Sequence, residues 1–228
     1  MVVRAVVFDL DGTIVNFNID RKSVRAEVKK FLGRKGFPLS VFSSEDSVFD
    51  ILKKVEIRMR SDGEEEQKIA RLREDALRIL GRYEMEAARI TNLVPGALET
   101  FRELRRRELK MGVFTVSSET STETVLGSLG VRDLFDAVIT RRSVQELKPG
   151  TAPLEATLEA LAVKPQEAVV VGKSIQDMSS ARELGITAIG IMTDASSRKK
   201  LTSAGAQYVI PSLVNLLPLV DQLKQQKQ

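Results

Sequence analysis

Residues 2–8 read Val-Val-Arg-Ala-Val-Val-Phe, a short, β-branched and nearly uncharged run. That pattern predicts a fully buried parallel strand. The period then changes. Val24, Val28, Phe31 and Leu32 keep helical spacing until Gly33, Gly36 and Pro38 interrupt it. Val48, Ile51, Leu52 and Val55 resume it, with Ser44 expected as the N-cap and Ser61-Asp62-Gly63 as the stop. A long charged helix over 64–89 follows, with Ile69, Leu72, Ala76, Ile79, Leu80 and Tyr83 on one face.

From about residue 93 the pattern alternates. Strands are expected at 111–116, 137–140, 168–171, 188–191 and 207–210, and helices at 96–108, 121–129, 152–161 and 176–184. Such alternation predicts a doubly wound parallel sheet covered on both faces. The first strand belongs in the same sheet, so residues 1–15 and 93–228 form the core domain and 16–92 an inserted helical domain. The polar end, 222–228, is expected to fray.

Composition narrows the chemistry. Neither cysteine nor histidine occurs. Disulfides, thiolate nucleophiles and imidazole acid–base or ligand roles are therefore excluded, and proton transfer falls to Asp, Glu, Lys or Tyr. The net charge of +4 arises from 35 basic residues interleaved with 31 acidic ones, and aromatics make up 5%. A nucleic-acid partner is not expected from that mixture. No apolar run is long enough for a membrane span and no leader pattern opens the chain, so the expected location is cytoplasmic. Nothing in the pattern sets an oligomeric state.

The chemistry-bearing residues fall at or near strand ends. Asp9 and Asp11 follow the first strand, Thr115 lies at the end of the second, and Lys148 precedes the helix leading to the fourth. Gly172-Lys173-Ser174-Ile175-Gln176-Asp177 follows the fourth. In an open α/β sheet these loops converge at the carboxyl edge. There one carboxylate can attack and the other can move a proton. Each residue also has a plainer reading: Asp9 and Asp11 as a solvated turn or cap, Thr115 as a strand-end hydroxyl, Lys148-Pro149 as a helix start, Asp177 as an early-turn acid. Gly172-Lys173-Ser174 is not a phosphate-binding P-loop, because Glu167 stands where its first glycine is required.

In this order and spacing, Asp9-x-Asp11-Gly12-Thr13, Thr115 and Lys148 resemble the haloacid dehalogenase (HAD) superfamily, in its phosphoglycolate-phosphatase-like branch with a helical cap. Val94-Pro95-Gly96 and the stretch from Ala204 through Ile210 to Ser212 and Leu213 extend the likeness over essentially the whole chain. The resemblance implies a Rossmann-like core and an α-helical cap. It casts Asp9 as a nucleophile forming an aspartyl-phosphate and Asp11 as the acid and base. Thr115 and Lys148 complete the catalytic set. Gly12, Thr13 and Ser117 line the phosphate, and the cap break at Arg34-Lys35 is the substrate-facing candidate. A solvated helix–helix turn is the other reading of that break. Mg²⁺ would be held by Asp9, the Asp11 carbonyl and Asp177.

The implied function is a phosphoric monoester hydrolase acting on a small phosphorylated metabolite. The alternatives are a catalytically impaired protein that binds a phosphorylated ligand or a partner, and a phosphomutase. Three positions depart from the family pattern. Lys173 replaces a metal-ligating Asp, Val116 stands in place of Asn, and Asn16-Phe17 in place of Asp-Ser. Lys173 leaves three possibilities open: a weakened Mg²⁺ site, an ammonium replacing the metal, or binding without catalysis.

Overall fold

The computed structural model describes residues 2–144 and 146–225. The chain divides into two compact units, one built from the residues up to Phe17 together with those from Ile90 onward, the other from Asn18–Arg89.

The larger unit is a six-stranded, wholly parallel sheet. Its strands are β1 (Ala5–Phe8), β2 (Lys110–Phe114), β3 (Ala137–Ile139), β4 (Ala168–Gly172), β5 (Thr187–Ile191) and β6 (Tyr208–Ile210). The spatial order is β3-β2-β1-β4-β5-β6, so the chain winds outward first to one side of β1 and then to the other. Every residue of β1 is buried, as its unbroken apolar run requires. Alternate residues face opposite layers. Ala5, Val7, Phe114 and Val170 share a core with residues of helices α6 (Ala152–Leu161), α7 (Ile175–Glu183) and α8 (Ser197–Ala204). Phe8 instead packs edge-to-face on Phe101 of α4 (Ala97–Arg106), with ring centroids 5.3 Å apart, and on Phe135 at 6.2 Å.

The fold class expected from the alternation is the one observed. Two helices were not anticipated: α8 and α9 (Leu216–Gln225). Each buries a narrow stripe, Ser197, Leu201 and Ala204 in one and Leu216, Val220 and Leu223 in the other. Pro218 reads as a breaker, but it sits in the first turn of α9, where a missing N–H costs nothing. Residues 222–225, expected to fray, continue α9; the rest of that expectation, 226–228, lies outside the described residues.

The smaller unit contains α1 (Arg21–Arg34), α2 (Val48–Ser61) and α3 (Glu66–Ile90), whose last residue belongs to the larger unit. Val24, Val28, Leu32, Ile51, Leu52, Val55, Ile69 and Ala76 form its core. The cap of α2 is Ser47, not Ser44. Asp50 lies three residues beyond Ser47, and the two exchange side chain–backbone hydrogen bonds at 2.9 and 3.1 Å. Residues 16, 17 and 90–92, expected in the insertion, fall with the larger unit. The Asn16 N–H donates to the Asn92 carbonyl, and Val15 bridges to Leu93.

Register fixes where the chemistry emerges. Phe8 lies opposite Val113 on one side and Val171 on the other, so β1, β2 and β4 end at one level. Asp9, Thr115 and Lys173 all leave the sheet at that carboxyl edge.

Candidate active site

The turn after β1 is anchored from below. Leu10, Ile14 and Val15 are fully buried, and the N–H groups of Ile14 and Val15 donate to the Leu10 carbonyl. Leu10 points inward, leaving Asp9 and Asp11 on either side of it. Gly12 adopts φ +73°, a left-handed conformation that glycine tolerates, and its N–H closes the turn onto the Val15 carbonyl at 2.6 Å.

Lys148 joins the turn to the far side of the site. Its ammonium donates to Asp9 Oδ1 at 2.6 Å and to Asp177 Oδ1 at 2.7 Å. It also stands 3.6 Å from the centroid of the Phe114 ring, a cation–π contact at the end of β2. The lysine side chain is 6% exposed and that of Asp177 0%. Burial opposes the Lys148 ammonium, but the charges and hydrogen bonds of Asp177 and Asp9 outweigh it and hold the group above its ordinary range. Asp9 is pushed up to about 6, first by burial and then by the negative charge of Asp177, against the pull of Lys148. Thr13 Oγ1 donates weakly to the other Asp9 oxygen at 3.4 Å.

Asp177 has a second task. Its Oδ2 accepts from the Ser174 N–H, and Ser174 Oγ accepts from the Asp177 N–H, both at 3.0 Å, forming a capping box on α7. The early-turn reading therefore holds, and the same carboxylate also accepts from Lys148. Gly172 makes room: a Cβ there would lie 2.7 Å from the Asp177 carboxyl carbon. Lys148-Pro149, by contrast, does not start a helix; α6 begins at Ala152, and Pro153 takes the first-turn place.

Thr115 is buried and accepts the Ser117 N–H at 3.1 Å, which leaves its hydroxyl proton free to donate elsewhere. Arg141 pins this turn, donating to the Val116 carbonyl at 3.2 Å and, through its own N–H, to the Ser117 carbonyl at 3.3 Å. Arg34 and Lys35 belong to the helical unit, at the end of α1, with the Lys35 ammonium 5.8 Å from the Phe31 ring centroid. The contact of the Phe114 ring with Lys148, the capping role of Ser174 and the hold of Arg141 on the turn escaped the sequence reading. Only Ser174 carried a readable signal, Ser-x-x-Asp ahead of a helix.

The family model for haloacid dehalogenase-like hydrolases matches residues 6–191. The chain belongs to that family. Among its HAD relatives, a phosphoglycolate phosphatase of Chromobacterium violaceum is 29% identical over 96% of each chain. Another phosphoglycolate phosphatase, from Cereibacter sphaeroides, is 31% identical over 79% of this chain and 81% of its own. A solved hydrolase from Pseudomonas syringae shares the fold with a TM-score of 0.69 at 24% identity, over 96% of this chain and 98% of that one.

The donor set does not suit the Mg²⁺ that the HAD resemblance implies. Mg²⁺ needs near-octahedral oxygen donors and is drawn to carboxylates. Among the described residues no group of three or more acidic side chains is placed to hold a metal ion. One oxygen of Asp9 and one of Asp177 are bonded to Lys148, and the other oxygen of Asp177 is used in the cap. Against the Asp9–Gly12 turn lies an ammonium instead: Lys173 Nζ is 3.6 Å from Asp11 Oδ1.

Proposed function

We propose that this protein is a phosphatase that hydrolyses a small phosphate monoester through an aspartyl-phosphate on Asp9. The observation that carries the reading is the Asp9 carboxylate, held at a strand end by the buried Lys148 ammonium at 2.6 Å with Asp11 on the same turn. Lys148 fixes the attacking carboxylate and offsets part of its charge as a phosphate dianion approaches.

In the first step an Asp9 oxygen forms a bond to phosphorus and the ester P–O bond breaks. Its electron pair leaves on the alcohol oxygen, which takes a proton from the Asp11 carboxyl. In the second step water attacks phosphorus and gives a proton to the Asp11 carboxylate. The Asp9–phosphorus bond breaks, leaving orthophosphate and the original carboxylate. The Thr115 hydroxyl, whose oxygen accepts from the Ser117 N–H, donates its proton to a phosphoryl oxygen.

The helical unit follows directly in the chain on the turn bearing Asp11. We read it as the substrate-selecting cap, with Arg34 and Lys35 offered to an anionic group of the substrate. The phosphoglycolate phosphatases among its relatives support a small phosphorylated carboxylate as the first substrate to test. The test is hydrolysis of p-nitrophenyl phosphate and 2-phosphoglycolate by the parent, Asp9→Asn and Asp11→Asn. Turnover by the parent and loss in both variants supports the reading. Full turnover by Asp9→Asn contradicts it.

A further inference from the structure

We infer that Lys173 is a catalytic residue whose ammonium contacts the transferring phosphoryl group, so that hydrolysis proceeds without a divalent metal ion. The inference rests on the phosphatase reading above.

The backbone at Lys173 is fixed on both sides. Gly172 pairs with Gly190 in the sheet, and Ser174 caps α7 through its exchange with Asp177. From this position the side chain reaches across to the first turn and lies on Gly12. A Cβ at residue 12 would overlap the Lys173 ammonium, so the glycine supplies the space the lysine tip occupies. The ammonium ends 3.6 Å from Asp11 Oδ1. The Lys173 side chain remains 32% exposed, whereas Lys148 is 6% exposed. Lys148 is thus an internal tie and Lys173 an ammonium still open to a ligand.

Charge gives this arrangement its purpose. Lys148 is shared between Asp9 and Asp177, so its charge is already matched by two carboxylates. A phosphate dianion arriving at Asp9 meets net negative charge unless another cation faces it. Lys173 supplies that cation on the side of Asp11. In the phosphoryl-transfer transition state, negative charge spreads over the equatorial oxygens, and a fixed ammonium beside them stabilises it without reorganisation. Lys173 gives up no proton; Asp11 remains the donor to the leaving alcohol. An ammonium at this position also repels a divalent cation from the Asp9–Asp11 turn.

The experiment follows p-nitrophenyl phosphate hydrolysis in EDTA and in excess Mg²⁺ by the parent, Lys173→Met and Lys173→Arg. Orthophosphate and Mg²⁺ binding are measured in parallel by calorimetry. The expected parent rate is the same in EDTA and in Mg²⁺, with no heat of Mg²⁺ binding. Lys173→Met is expected to lose about 100-fold in rate and to bind orthophosphate more weakly in EDTA, while Lys173→Arg keeps most of both. A parent active only with Mg²⁺ overturns the inference and leaves the phosphatase reading standing. A folded Lys173→Met with parental rate and orthophosphate affinity also overturns it. If Lys173→Met does not fold, the parent's EDTA comparison decides the question alone. A parent inactive under both conditions removes the phosphatase reading and this inference with it.

Discussion

Lys148 and Asp177 meet at 2.7 Å in a site where the carboxylate has no exposed surface and the lysine almost none. Asp9 is the other partner of that ammonium, at 2.6 Å, so removing Asp177 leaves Lys148 charged and buried against one carboxylate in place of two. Asp177 can make this contact because it is also the third helical residue of α7 and closes the capping box there, which fixes its side chain before any substrate arrives.

Asp177→Asn separates the two tasks of that residue. The amide oxygen can still accept from the Ser174 N–H, so α7 should keep its cap. One of the two charges opposite Lys148 is lost, and stability at pH 7 should fall, by less than the roughly 3 kcal/mol that leaving a buried charge wholly unpaired costs. The folded-state pKa of Lys148 is raised, so its stabilisation is complete below the ordinary lysine range and is lost as pH rises through the higher folded value. The difference between parent and variant should therefore persist through neutral pH and shrink only in strong alkali. Urea unfolding across that range measures it; a variant as stable as the parent at pH 7 contradicts the pairing.

Asp9 works in the opposite direction. Its pKa of about 6 in the fold, against 3.8 for a free side chain, means that the folded protein holds the proton more tightly than the unfolded chain. Its ionisation thus removes stability as pH rises from about 4 to 6, at most about 3 kcal/mol in total. Asp9→Asn should be as stable as the parent or more so at pH 8, and its advantage should vanish below pH 4. The same titration governs attack, since only the carboxylate is nucleophilic. The kcat/KM of the parent should fall as pH drops below about 6. A rate that stays level down to pH 4 does not fit Asp9 as the nucleophile.

Gly12 and Lys173 should be energetically coupled. Gly12→Ala places a Cβ at φ +73° and drives it into the lysine tip. The left-handed conformation costs about 1 kcal/mol, and displacement of Lys173 adds to it. Gly12→Ala combined with Lys173→Ala should recover the steric part of the loss while retaining the conformational part. Strictly additive effects in denaturant unfolding would show that the two side chains do not share that space.

Arg34→Ala and Lys35→Ala test the helical unit. If these cations receive an anionic group of the substrate, KM for 2-phosphoglycolate should rise about 10-fold with kcat nearly unchanged. KM for p-nitrophenyl phosphate, which lacks a second anionic group, should move little. Equal shifts for both substrates contradict a role in choosing the substrate.

The framework was legible because its signals are local. Short β-branched runs such as Val169-Val170-Val171 admit few readings once helices alternate with them. Helix α8 was not legible: its buried stripe of Ser197, Leu201 and Ala204 is barely apolar and is interrupted by Arg198, Lys199 and Lys200. In the site, Asp9 was visible at a strand end, Asp177 in the first turn of a helix and Lys148 in the segment leading to α6; the register of β1 with β4 brings the first two together, and Lys148 reaches both from the connection after β3. The Phe114 ring against Lys148 was hidden, because an apolar residue ending a buried strand looks like core. The reach of Lys173 over Gly12 was hidden as well. Sequence shows a lysine out of pattern, but only the fold shows what it lies against.

Hydrolysis by this route requires a phosphoryl group carried covalently on Asp9. Its most direct test is rapid acid quench of the parent during turnover of 2-phosphoglycolate or p-nitrophenyl phosphate, followed by borohydride reduction and peptide mass analysis. An acyl phosphate on Asp9 is reduced to homoserine, while a free carboxylate is untouched. Homoserine is expected at position 9 in the quenched parent and none in Asp9→Asn or in parent without substrate. Phosphate release with position 9 recovered only as aspartate, or homoserine at another acidic residue, would contradict that route.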